Sequence, residues 1–171
     1  VTALKDADEE VRWHSAKALG GMGPEAVLAL GMARKGANEG TLWCIDMTLS
    51  ELGLEAVPAL LHALGDKDED VRAGAAGSLG VIGLRGKDDV PALITALGDA
   101  DPDVRTNAAL ALRSIGPEAK DAVPALIKAL SDTDAEVRSS VVWAFYWIGP
   151  ATEEVIPALL KTLDDEVAQV R

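Results

Sequence analysis

Few side chains in this sequence could carry out a reaction. There is one cysteine, there are two histidines, and the four tryptophans are the other conspicuous residues. His14 and Cys44 lie 30 residues apart, each directly after a tryptophan. A thiol next to an imidazole becomes a nucleophile when the ring can take its proton. Nothing in the sequence supplies a third, orienting group or an oxyanion donor, so a catalytic role has no support. The acidic run Asp66-Lys67-Asp68-Glu69-Asp70 begins like a calcium loop, but Val71 and Gly77 occupy the places that need glycine and a bidentate glutamate. His62 has no partner at ligand spacing, so neither a metal nor a cofactor is expected. What remains is contact chemistry, carried by Trp13, Trp43, Trp143, Trp147 and a recurrent arginine.

The elements that position these residues are set by a repeat. Val57-Pro58-Ala59-Leu60 returns as Val90-Pro91-Ala92-Leu93, Val123-Pro124-Ala125-Leu126 and Ile156-Pro157-Ala158-Leu159, in steps of 33 residues. A Val-Arg pair keeps the same step at Arg72, Arg105, Arg138 and Arg171, and Val11-Arg12 precedes them by two units of 30. Proline suits the first turn of a helix, whose N–H groups lack intrahelical partners. The Asp-x-Asp turns offer N-caps, and Gly83, Gly116 and Gly149 offer helix ends. Each repeat therefore predicts two helices. Such a pair cannot bury its apolar face alone, so stacking into an all-α solenoid follows. The expected organisation is a single array over 1–171, with repeats at about 1–26, 27–56, 57–89, 90–122, 123–155 and a partial 156–171.

The pattern Val-Pro-Ala-Leu, Asp-x-Asp-x-x-Val-Arg, Ala-Ala, Ile-Gly resembles HEAT-like repeats of the type found in phycobilin lyases. The resemblance runs along essentially the whole chain and implies an α-solenoid, but no single activity, since function lies in sites grafted onto folds. Deoxyhypusine hydroxylases of this architecture bind iron through His-Glu dipeptides; here the pairs are His14-Ser15 and His62-Ala63. The HEAT-like DNA glycosylases use a basic groove.

Charge argues against that last function. With 16 Lys+Arg against 28 Asp+Glu the net charge is −12, the wrong sign for a phosphate backbone. The single cysteine cannot form an internal disulfide. Short, interrupted apolar runs predict no membrane span, and cytoplasm is the default compartment.

Arg12, Arg72, Arg105 and Arg138 recur in phase with Asp68, Asp101 and Asp134, which predicts a structural ladder of Arg–Asp pairs between neighbouring turns. The variable positions of the second helices are expected to face a concave groove: Trp13, His14 and Lys17; Trp43, Cys44, Met47 and Glu51; Asn107 and Leu110; Trp143 and Trp147. Ala73, Gly74 and Gly77 would form a small-residue floor between aromatic walls, and Trp13 and Trp43 would stand ~10 Å apart on adjacent helices. Asp46 replaces a buried alanine and needs a partner or a shifted pKa.

A Trp-lined groove in an acidic chain predicts a non-enzymatic scaffold for a protein or peptide, one with basic residues. The alternative is a lyase-like subunit holding a flat conjugated chromophore or cofactor. Aligning Leu4 with Leu130 places Val1 at Ile127, inside a first helix, and Val170-Arg171 would open a further second helix. On this reading the chain is a piece of a longer array that self-associates end to end.

Overall fold

The computed structural model describes residues 2–83, 87–149 and 153–171. Among them every regular element is helical, and the architecture is a solenoid of helical repeats. The long second helices are α1 (Glu9–Gly20), α3 (Glu39–Leu52), α5 (Glu69–Ile82), α7 (Pro102–Ile115) and α9 (Ala135–Ile148). The shorter first helices are α2 (Pro24–Ala33), α4 (Val57–Ala63), α6 (Val90–Ala96), α8 (Val123–Ala129) and α10 (Val155–Thr162). The chain divides into two compact units, Val1–Gly83 and Leu84–Arg171.

Local chemistry sets the helix ends. The side chains of Asp8, Asp68, Asp101 and Asp134 cap α1, α5, α7 and α9 by accepting backbone N–H groups one turn in, and Asn38 does so for α3. Gly116 and Gly149 follow α7 and α9 with φ of 68° and 86°, a region that a Cβ would make costly.

In the N-terminal unit α1 packs on α3, while α5 packs on α2, α3 and α4. Leu30, Ile45, Leu49, Leu60 and Leu79 are fully enclosed there. Complete burial of such a side chain contributes ~1.5–3 kcal/mol. Helices α2 and α5 meet backbone to backbone: a Cβ on Gly74 would lie 2.7 Å from the Met32 nitrogen and 2.8 Å from the Gly31 carbonyl carbon. Gly74, with Ala73, is thus part of the helix contact and does not form an open floor.

In the C-terminal unit α7 packs on α9, with α6 against α7 and α8 against α9. Leu93, Leu126 and Leu112 are enclosed, as are Ala108, Ala109, Ala111 and Ala144. Alanine on the facing sides lets these helices approach closely.

The arginine ladder exists, with different acidic partners. Arg105 bonds Asp132, and Arg138 bonds Asp165, each through Nε and Nη2 at 2.7–2.9 Å. Asp101 and Asp134, expected as partners, are spent on N-caps, and Asp68 likewise. Each arginine also donates through Nη1 to two carbonyls of its own turn, as Arg72 does to Asp66 and Lys67. Arg12 makes the same carbonyl bonds, to Asp6 and Ala7, but its buried Nε has no partner. The next turn explains this: Gly36 stands where the later repeats carry the accepting aspartate.

Candidate partner-binding surface

In the N-terminal unit the surface is built on α1 and α3. Trp13 and Trp43 lie with ring centroids 5.6 Å apart and planes tilted by 33°, closer than the ~10 Å helix spacing because the side chains lean together. Lys17 extends over Trp13, its Nζ 5.4 Å from the ring centroid, and donates to Glu51 Oε2 at 2.6 Å. Trp43 and Met47 remain exposed.

Two residues expected in the groove differ in their surroundings. Cys44 has no accessible surface and accepts a bond on its carbonyl from the Thr48 hydroxyl. His14 is exposed, its Nδ1 2.7 Å from the Glu10 carbonyl. Cys44 points into the core because its position lies at the edge of the variable arc, turned toward the neighbouring helix. The same rotation buries Ser140 on α9.

Asp46 gains a nearby charge but no hydrogen bond, and its buried Oδ1 is left without a hydrogen-bond partner. Arg34 Nη1 lies 3.4 Å from Asp46 Oδ1 but donates its hydrogen bond to the Gly77 carbonyl at 3.0 Å. Desolvation raises the Asp46 pKa above the ordinary carboxylate value, and the Arg34 charge only partly opposes it.

In the C-terminal unit α9 carries Trp143, Tyr146 and Trp147, which are 54%, 73% and 57% exposed. Tyr146 meets both tryptophans edge-on, with centroids 6.3 Å from Trp143 and 5.6 Å from Trp147. Sequence reasoning missed Tyr146, although its offset of three from Trp143 places it beside that face. Phe145, at the marker leucine position, is buried. Asn107 and Leu110 on α7 are half-buried.

Among the described residues no cluster of three His, Cys, Asp or Glu is arranged to hold a metal ion, and no helix is long and apolar enough to cross a membrane.

These repeats define a class, and the sequence comparison names it. Residues 42–113 and 90–171 match the family model for HEAT repeats, and the chain belongs to that family. No curated protein sequence matches it. Among solved structures, the complex of CpcE and CpcF of phycocyanin lyase from Nostoc sp. PCC7120 is similar, with a TM-score of 0.67 at 23% identity, over 86% of this chain and 95% of that one. A designed armadillo repeat protein in complex with the peptide (KR)4 gives a TM-score of 0.57 at 18% identity, over 99% of this chain and 92% of that one. At these identities the likeness is one of fold.

Proposed function

We propose that this HEAT-repeat protein is a non-enzymatic scaffold that holds a protein or peptide against the exposed aromatic faces of its second helices. The observation that carries the reading is the exposure of Trp43, Trp143, Tyr146 and Trp147, each more than half open to solvent. Tryptophan and tyrosine dominate contact energies because they bury large area at small entropic cost. The net charge of −12 favours a partner with basic residues. The designed armadillo protein with its (KR)4 peptide supports this by showing that a solenoid of helix repeats can hold such a ligand. Affinity capture from the native extract tests the reading, comparing the parent with the Trp43→Ala, Trp143→Ala double variant. The variant is expected to lose a discrete captured species. Identical captured sets overturn it.

A second reading rests on the fold shared with the phycocyanin lyase complex: the aromatic surface would take a flat conjugated chromophore. Titration with a linear tetrapyrrole separates the two, since only this reading expects a change in visible absorbance.

Self-association is proposed as well. Ile156, Leu160 and Leu163 are exposed, the first two on α10 and the third at its end, and their spacing makes them one apolar stripe.

A further inference from the structure

The two units dress the same repeat positions with different chemistry. On the N-terminal surface an ammonium is held between a ring and a carboxylate: Lys17 Nζ is 5.4 Å from the Trp13 centroid and 2.6 Å from Glu51 Oε2. Counted from Val11 in α1, from Val137 in α9 and from Thr41, which takes the place of that valine in α3, Trp143 occupies the position of Lys17. Trp147 occupies the position of Glu51. Both polar members of the first arrangement are thus tryptophan in the second, and Tyr146 packs edge-on against the two.

The α9 cluster therefore offers exposed aromatic rings in place of that ammonium and carboxylate. Among the described residues no lysine or arginine lies over these rings, and the cation–ring contact seen is that of Lys17 with Trp13. Ring faces carry the negative end of the aromatic quadrupole and attract a cation placed on them, tryptophan being the strongest acceptor. The surrounding field has the matching sign. Glu136 is exposed on the same face of α9, two turns before Trp143, and the chain as a whole carries −12.

We infer that Trp143, Tyr146 and Trp147 receive a lysine or arginine side chain from the partner, much as Trp13 receives Lys17 within the chain. This rests on the reading of the second helices as a peptide-binding surface and adds the chemistry of the residue bound at α9. An aliphatic or neutral aromatic side chain would gain the apolar contact alone. An acidic one would also meet repulsion from the chain's net charge.

The probes are three capped peptides that differ only at two positions, carrying arginine, its uncharged isostere citrulline, or glutamate. Binding is read from the indole N–H resonances of Trp143 and Trp147 and from tryptophan fluorescence at low salt. The arginine peptide should shift both resonances and bind roughly tenfold more tightly than the citrulline peptide, with the glutamate peptide silent. Trp147→Leu should weaken arginine-peptide binding by a similar factor and leave the melting temperature unchanged, since the side chain is exposed; Trp147→Phe should recover part of it. Equal binding of the arginine and citrulline peptides overturns the cation inference and leaves the peptide-binding surface standing. Arginine-peptide binding that Trp147→Leu does not weaken overturns it too, as diffuse attraction to an acidic protein. Binding by none of the three removes both.

Discussion

Arg105 grips Asp132 in the next turn with two bonds of 2.8 Å, Nε to Oδ2 and Nη2 to Oδ1, while its Nη1 holds the carbonyls of Asp99 and Ala100. One guanidinium thus ties its own turn to its neighbour's, with both partners largely buried. Because all of this bonding is internal, Arg105→Ala should destabilise the fold by about 1–3 kcal/mol and leave partner binding intact. Arg12→Ala should cost less, since it strands no carboxylate and removes a buried Nε that has no partner. Chemical denaturation of both variants measures the difference. A ladder variant that melts like the parent yet loses its partner would reassign the arginines to the binding surface.

Acid should act on the fold through carboxylates shifted in opposite directions. Burial works against the charge of Asp132, but the Arg105 hydrogen bond, the Asp134 N–H and the Arg105 and Arg138 charges outweigh it, and the pKa falls below 3.8. Asp165 is lowered by the Arg138 hydrogen bond and the Val167 N–H. These carboxylates stay ionised in the folded state at a pH where the unfolded chain already takes up protons. Their stabilisation is whole above 3.8 and is lost as pH falls through the lower folded pKa. Asp46 has a raised pKa, so its charge costs stability above that folded value, a cost relieved as pH falls to 3.8 and below. Asp46→Asn should raise the melting temperature at neutral pH and match the parent in acid. Asp132→Asn should lower it at neutral pH, with the gap closing as acid is added. Thermal melts across pH 2–7 check both signs.

Gly74 should tolerate no side chain. The Cβ of Gly74→Ala would meet Met32 and Gly31 backbone atoms at 2.7–2.8 Å, and forcing α2 and α5 apart should cost about 1–3 kcal/mol. Gly65→Ala is the control, its new Cβ meeting nothing nearer than the His62 carbonyl at 3.6 Å. Comparable melting of the two variants would contradict the backbone contact.

Cys44 should be silent toward thiol reagents in the native state, because no part of it reaches solvent. Labelling is expected only as the chain unfolds, at a rate that follows denaturant. Rapid native labelling, or labelling suppressed by His14→Ala, would restore the thiol–imidazole pair as a working unit.

The α10 stripe gives the self-association proposal a single point of attack. Leu160→Glu places a charge in the middle of the exposed Ile156, Leu160 and Leu163 row and should abolish concentration-dependent association. Sedimentation of both proteins over a wide concentration range decides it; a parent that stays monomeric throughout removes the proposal.

Much of the architecture was legible because its signals are local. Proline in a first turn, aspartate at an N-cap and glycine with positive φ act within four residues of themselves, so a step of 33 residues carried them into helix boundaries at each repeat. The leucines of the Val-Pro-Ala-Leu tetrads were recognisable as core on the same basis, through their helical spacing. Through-space choices were not legible. Whether Arg105 takes Asp132 or Asp134 depends on which carboxylate the turn leaves free once the other has capped α9, and both lie in the same three-residue motif. Cys44 sits in a variable position, yet the rotation of α3 against its neighbours turned it inward. The small-residue pattern places Gly74 on an open floor, whereas α2 lies against it, because a glycine carries no mark that separates a groove from a helix crossing. The elements and their repeat are set by nearest neighbours along the chain and can be read from residue types and spacing. Which side chains reach solvent and which acid each arginine holds depend on how the helices are rotated against one another, and that rotation leaves no mark in the periodicity.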